Sequence, residues 1–406
     1  MKTFRYLPVI LALLLAACNK YDIQPEQAKG FIKFFSDTDL NESGVDVKQT
    51  PDGGYVAIGN SIAEGSGLSD IYLVKTDQYG NEESWSPVIL GGDFDDVATS
   101  LQVVSDGYVI LGYSKMDADS SYDMYILKTD LQGNKLWENW VEGSEDDRGS
   151  NLIATADGGF IASGVTRSHG LGVQNAWLVV FDADGKRVSI LNNTAGYSNT
   201  TIVDTYITEG EHFYLVSAVL AEDNNRMHLF PVDKTYPSLV YPGVIIPDGS
   251  SPNLSINSME ALSGGDFLLC GSVNASSGFS EIYLARFHPA STSVQTTFSI
   301  VWETTHESED PSDQADFFGN SVRVIDDNTF AVIGTKRETG NDDIILLLVD
   351  ADGNEKSRTY YGDEGFQLGE GLDFTSSDNG LIIVGTNGAE DNSMISLLKT
   401  DSSGKL

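Results

Sequence analysis

Short apolar runs alternate along most of this chain with clusters of Gly, Asp, Asn and Ser, and no stretch holds a helical period for any sustained length. The runs are rich in β-branched and aromatic residues, which predicts short strands separated by tight turns. One phrase recurs with drift. It reads Asp52-Gly53-Gly54-Tyr55-Val56-Ala57-Ile58-Gly59, then Asp106-Gly107-Tyr108-Val109-Ile110-Leu111-Gly112, then Asp157-Gly158-Gly159-Phe160-Ile161-Ala162-Ser163-Gly164, with later copies ending at Ser217, Gly271, Gly334 and Gly385. The second copy shows the unit: strands at Ser100 to Val104, Tyr108 to Gly112, Met124 to Lys128 and Leu136 to Val141, with Asp106-Gly107 and Asp130 to Asn134 as turns. Gly133 falls where such a turn needs a positive φ.

Successive anchors lie 53, 52, 53, 54, 63 and 51 residues apart. A period near 50 made of short strands predicts an all-β fold: a seven-bladed β-propeller of four-stranded antiparallel blades. The outer strands are expected at Phe31–Phe35, Ser84–Leu90, Leu136–Val141, Arg187–Asn192, Val240–Ile246, Ser299–Thr304 and Ser357–Tyr361, the fourth and fifth having drifted most. The chain stops at Leu406, where the last copy's outer strand would begin, while Gly30-Phe31-Ile32-Lys33-Phe34-Phe35 precedes the first inner strand. Residues 30–36 are therefore expected to complete the last blade, which closes the ring and removes an open strand edge. Residues 30–406 form one domain on this reading.

The N-terminus changes the picture from a soluble domain to an anchored one. Lys2 and Arg5 precede the apolar stretch Leu7 to Ala17, which is too short to span a bilayer as a helix. Leu15-Ala16-Ala17-Cys18 matches a bacterial lipobox and resembles the end of a lipoprotein signal peptide, with residues 1–17 removed, Cys18 acylated (palmitate among the chains) and residues 18–29 left as a tether. Acyl chains on Cys18 imply stable membrane attachment. Asn19 in place of Asp looks like outer-membrane sorting in a Gram-negative cell, and Asp22 and Glu26 are compatible with cell-surface export of the Bacteroidota type. The second cysteine, Cys270, sits in an apolar strand and reads as a small core residue.

The formal charge is −36, which excludes nucleic-acid binding through a basic surface. Much of the acidity falls in loops that link each outer strand to the next inner strand. Asp95, Asp96, Asp146, Asp147, Asp313 and Asp316 are the candidate cluster, able in principle to hold Ca²⁺, which takes six to eight oxygens, or to meet a basic partner. The competing reading is a set of solvated carboxylates and turn caps. Asp182-Ala183-Asp184-Gly185 and Asp350-Ala351-Asp352-Gly353 lack the remaining ligands of a calcium loop and align with the plain turn Asp130-Leu131-Gln132-Gly133. The five histidines form no zinc pattern, and no nucleophile elbow or phosphate loop is present. Lys115-Met116, Arg167-Ser168-His169, Phe279 and Lys336-Arg337-Glu338 could shape a binding face or be ordinary surface.

Asp130-x-x-Gly133-x-x-x-Trp137 is similar to the tryptophan-docking repeat of quinoprotein propellers and to the sialidase Asp-box, with altered gaps. The paired cysteines of the one and the arginine triad of the other have no counterpart, so both likenesses imply the fold and neither activity. Trp85, Trp137 and Trp302 are expected to pack outer strands. Through Lys75-Thr76-Asp77-Gln78-Tyr79-Gly80-Asn81 and Lys128-Thr129-Asp130-Leu131-Gln132-Gly133-Asn134, residues 44–406 resemble the secreted or lipid-anchored propeller repeat proteins of Bacteroidota. The resemblance implies a scaffold that presents one face to a protein partner or a glycan. A carbohydrate-active enzyme (a lyase or glycoside hydrolase) using channel-mouth carboxylates, and a structural subunit of an envelope complex, are the alternatives.

Overall fold

The computed structural model describes residues 30–36, 40–63, 68–169, 174–192, 202–210, 213–220, 226–233, 244–246, 254–275, 278–291, 296–308, 314–389 and 392–406. Among these there is no helix; the chain is all-β. Five sheets have four strands in antiparallel sequence order. They are β2 (Leu40–Gln49) to β5 (Val88–Leu90), β6 (Asp96–Val104) to β9 (Lys135–Val141), β10 (Asp147–Ala154) to β13 (Arg187–Asn192), β14 (Ile202–Glu209) to β17 (Val244–Ile246), and β18 (Leu254–Ala261) to β21 (Thr296–His306). A sixth sheet holds eight strands, built from β22 (Asp316–Asp326), β23 (Thr329–Glu338), β24 (Asn341–Asp350), β25 (Glu355–Tyr361), β26 (Gly365–Thr375), β27 (Gly380–Ala389), β28 (Asn392–Thr400) and β1 (Phe31–Phe35). It consists of two four-stranded units joined only by a short parallel contact, Asn341↔Gly365 and Asp342↔Phe366. The N-terminal β1 pairs antiparallel with the C-terminal β28, Phe31 opposite Lys399 and Phe35 opposite Ile395.

The core lies between successive units. Val56, Ile58 and Leu73 of one pack on Leu101, Ile110 and Leu127 of the next, and the same layering recurs along the chain. The last such cluster joins the two ends of the described chain: Ile382, Val384 and Leu397 with Phe35 pack on Val47, Tyr55 and Tyr72. Each unit's first strand touches the first strand of the next, and β26 touches β2. Cys270 is fully buried, and burial pushes its thiol far up, which suits an inert core residue.

The repeated phrase is explained by local chemistry. Asp77, Asp130, Asp182, Asp350 and Asp401 each accept backbone N–H bonds from residues two and four positions on, which closes the turn. The glycine of that turn has a positive φ and receives an aromatic ring from the preceding unit: Trp85, from the turn before β5, on Gly133, and Trp137 of β9 and Trp302 of β21 on Gly185 and Gly353. Phe31 of β1 seats on Gly80 in the same way. The Lys of the Lys-Thr-Asp motif reaches back to the Asp of the hairpin turn, Lys75 to Asp52 at 2.9 Å, Lys128 to Asp106 at 2.7 Å and Lys399 to Asp378 at 2.8 Å. Arg286 does this for Asp266 at 2.6 Å.

Candidate ligand site at the channel

The first strand of every unit carries a register shift, at the corresponding place in six and slightly earlier in β14, and β22 carries a second between Val324 and Asp326. The register shifts between Gly44 and Asp46, Ala98 and Ser100, Gly149 and Asn151, Ile202 and Thr205, Ile256 and Ser258, Gly319 and Ser321, and Gly369 and Gly371. A bulge removes ladder partners from the backbone around it. Side chains of the preceding unit supply them. Leu101 N–H donates to Asp46 at 3.0 Å, Leu152 N–H to Ser100 at 3.2 Å and Val322 N–H to Ser258 at 3.2 Å. In the unit before β2 this acceptor position is Gly371, which has no side chain, and Val47 N–H turns instead to Asp46 at 2.8 Å. The bulge residues Asn257 and Asn320 donate their amide N–H to the carbonyls of Gly319 at 2.8 Å and Gly369 at 2.7 Å.

These strands line a cavity of about 920 Å³, polar in most of its wall. That is the upper part of the size range of small-molecule sites. One side is charged. Arg323 bonds Glu260 at 3.2 Å and approaches Asp373 at 3.8 Å, and Lys48 bonds Asp46 at 2.6 Å. The equivalent positions on the other side are Gln102, Ile153 and Thr208. Burial works against the charge of Arg323, yet Glu260, Asp373 and Asp46 hold its pKa above the usual value. Burial also raises the carboxyls of Glu260, where Arg323 opposes it, and of Glu370, where Arg337 opposes it.

Where the first strands begin, aromatic rings and arginines meet. The rings of Tyr113 and Tyr122 stand edge to face 5.1 Å apart, and the Arg148 guanidinium lies over both at 4.9 and 4.7 Å. Lys115 covers Tyr122 at 4.7 Å. The Tyr122 hydroxyl donates to Asp95 at 2.9 Å; burial and this bond push its pKa up to about 12. A second such pair is Arg337 over Phe318 at 5.1 Å, with Asp342 at 3.1 Å.

The acidic loop residues face elsewhere. Asp95 accepts Ser69 N–H at 3.0 Å, Asp146 accepts Tyr122 N–H at 3.1 Å and Asp316 accepts Ser280 N–H at 2.7 Å. Each thus pins a connecting loop to the start of the preceding unit's third strand. Asp96 is buried and accepts Gly92 N–H at 2.8 Å, and Asp147 is fully buried and accepts the Thr166 hydroxyl at 2.6 Å and the Arg167 N–H at 3.0 Å. Burial raises the Asp96 carboxyl and that of Asp123, which bonds Gly143 N–H at 2.8 Å beside Asp147. Asp313 and Cys18 lie outside the described residues. Among the described residues no three acidic, His or Cys side chains are grouped so as to hold a metal ion.

Lys336-Arg337 stood out in the sequence; Arg148, Glu260 and Arg323 did not. The available signal was the repeat itself. Lys48, Glu260, Arg323 and Asp373 each directly follow the buried apolar residue of a first strand, namely Val47, Met259, Val322 and Leu372.

No family model matches the chain, and no curated protein matches it. Solved structures resemble it in fold. Polysaccharide lyase Uly1 is similar at 11% identity with a TM-score of 0.51, over 88% of this chain and 90% of that one. The β-propeller domain of the Trilobed protease from Pyrococcus furiosus has 8% identity and a TM-score of 0.48, over 89% and 97%. A Pyrococcus horikoshii acylaminoacyl peptidase has 10% identity and a TM-score of 0.48, over 89% of this chain and 53% of that one.

Proposed function

We propose that this protein is a lipid-anchored binding scaffold of the outer membrane or cell surface. Its seven-bladed β-propeller is closed by β1, and it takes a ligand at the channel mouth. The observation that carries the binding reading is the polar cavity of about 920 Å³, lined by first strands whose bulge side chains are held by the neighbouring unit. A rigid ring that positions polar groups around one opening suits recognition. Closure is supported by the pairing of β1 with β28 and by Phe31, which serves Gly80 as Trp85 serves Gly133. The address rests on the lipobox ending in Cys18, whose acyl chains would attach the protein to the membrane. The partner class is a glycan or a protein carrying similar polar groups.

The test is retention of the full-length protein, in detergent, on immobilised envelope polysaccharides and envelope proteins. A Ser150→Trp variant, which fills the channel wall, serves as the blocked control. Retention that the variant loses, with its unfolding temperature unchanged, upholds the site. Retention that the variant keeps places binding elsewhere and overturns it. Cys18→Ser is expected to move the protein from the membrane to the soluble fraction.

A second reading, a polysaccharide-cleaving enzyme, draws on one observation: burial raises the carboxyls of Glu260 and Glu370 in the channel wall. A carboxyl held above its usual range is a better proton donor than an ordinary one. Release of new chain ends from a polysaccharide, lost in Glu370→Gln, is its test.

A further inference from the structure

The chain is acidic overall, so the simplest expectation for its ligand is a cation. The arrangement of side chains at the mouth points the other way. The loop carboxylates of Asp95, Asp146 and Asp316 are turned back onto backbone N–H groups. Beside exposed loop acids such as Asp93, Glu145, Asp363 and Glu364, the opening carries arginines held on aromatic faces. The Arg148 guanidinium lies over the rings of Tyr113 and Tyr122, and its ion-pair contact with Asp146 is long at 3.5 Å. Its side chain is 41% exposed. Stacking fixes the plane of a guanidinium while leaving its edge donors unused, and that edge matches the two oxygens of a carboxylate or sulfate. Arg337 repeats the device on Phe318, with a 51% exposed side chain and a single carboxylate, Asp342, on its Nε. An arginine needed only for stability would be expected to spend its fork on a partner at close range, as Arg358 does on Glu355 at 2.7 and 3.2 Å.

The rest of the wall narrows the class. Side-chain amides and hydroxyls, among them Gln102, Ser150, Asn151, Asn257 and Asn320, suit a ligand dense in hydroxyl groups. Of the carboxylates that line the cavity, Asp46 faces Lys48, Glu260 and Asp373 face Arg323, and Glu370 feels Arg337; carboxylates farther off repel an anion only weakly at physiological salt, because their field decays over about 8 Å. Contact with the two arginines therefore decides the local preference.

We propose that the channel mouth binds an acidic saccharide, with Arg148 and Arg337 each offering its free donors to an oxyanion of that chain, a uronate carboxylate or a sulfate ester. This rests on the channel being the binding site and names what it binds. The test uses the full-length protein in detergent and titration calorimetry with four probes: an oligogalacturonide, a sulfated galactan oligosaccharide of equal length, the neutral galactan oligosaccharide and inorganic sulfate. At least one acidic oligosaccharide is expected to bind ten-fold or more tightly than the neutral one, and which of the two does so identifies the oxyanion. Sulfate alone is expected to bind far more weakly than either. Arg148→Ala and Arg337→Ala should each weaken the acidic ligand about ten-fold and leave the neutral one unchanged, and Arg148→Lys should restore only part of the loss. Equal affinity for neutral and acidic chains overturns the inference while sparing the binding site. Absence of binding by all the oligosaccharides overturns the inference, and the Ser150→Trp retention experiment then judges the site separately. The ligand comparison on the wild-type protein stands even if an arginine variant misfolds.

Discussion

Carboxylates at the hairpin turns and carboxylates at the channel and its loops are the same chemical group held in opposite ways. At the turns, Asp378 and Asp52 are partly buried, which alone would raise their pKa, but lysine, hydroxyl and backbone donors more than offset it and both end up lowered. At the channel and its loops, Glu260, Glu370, Asp96 and Asp123 are held above the usual range because burial outweighs the donors they have. Position in the blade, not residue type, sets the sign. Turn carboxylates stabilise the fold as anions. Burial opposes the charge of channel and loop carboxylates, and their partners decide how strongly.

The most severe way to break this contrast is to remove the cation from the wall. Arg323→Ala leaves Glu260 and Asp373 without their shared partner in a recess where all three side chains are less than a third exposed. The expected loss is about 3 kcal/mol, in line with other broken buried pairs. Chemical denaturation should show it, and adding Glu260→Gln to that variant should recover part of the loss. If the double variant is as unstable as the sum of the singles, the two groups are not coupled.

Next come the turns. Asp378→Asn takes the counter-charge from Lys399, whose side chain is 2% exposed, and should cost about 2 kcal/mol. Asp106→Asn removes a partner that is 66% exposed, from a Lys128 that retains some access to water, and should cost about 1 kcal/mol or less. Equal losses would mean that lysine burial does not control the effect.

Acidity separates the two classes by sign. A lowered folded-state pKa gives stability that is present above the unfolded-state value and lost as pH falls through the folded value, so the Asp378→Asn deficit should shrink below about pH 4. A raised pKa gives stability that is present at low pH and lost as pH rises through the folded value. Asp123→Asn keeps an acceptor for Gly143 N–H and removes a charge beside Asp147, so it should be more stable than the wild type at pH 7, by about 1 kcal/mol. That advantage should fade as pH falls toward 4. Unfolding curves of both variants from pH 7 to pH 3 check it; parallel pH profiles would erase the distinction.

The turn class was legible in the sequence because its chemistry is local. Asp130 bonds residues two and four positions on, so spacing alone reveals it. The outer strands were mostly legible for the same reason: β13 matches at Arg187–Asn192, whereas the strand expected over Ser84–Leu90 is β5, Val88–Leu90, because Ser84 and Trp85 lie in a turn, and residues 240–243 of the fifth lie outside the described residues. The direction of the loop carboxylates was not. Asp95 and Asp146 look in the sequence like ligands waiting for a cation, but their acceptors are filled by Ser69 and Tyr122 N–H groups that only the tertiary return of the preceding unit supplies. Arg148 was invisible because the tyrosines that orient it lie 35 and 26 residues before it in the chain.

The smallest effect tests how far the turn class tolerates change. Gly53 has a φ of 85° with nothing within 4 Å of where a Cβ would stand, so only the backbone conformation opposes a side chain there. Gly53→Ala should cost about 1 kcal/mol for the left-handed conformation alone. The last copy of the repeat suggests a cheaper replacement. There Asp378-Asn379-Gly380 stands where the first copy has Asp52-Gly53-Gly54, and Asn379 adopts a φ of 56°. Asparagine tolerates this region because its short polar side chain can bond locally. Gly53→Asn should therefore cost only a few tenths of a kcal/mol, less than Gly53→Ala, although its side chain is larger. Urea midpoints of the two variants decide it. If alanine is the better tolerated, the penalty at this turn is one of side-chain size, and the two copies are not held by the same conformational requirement.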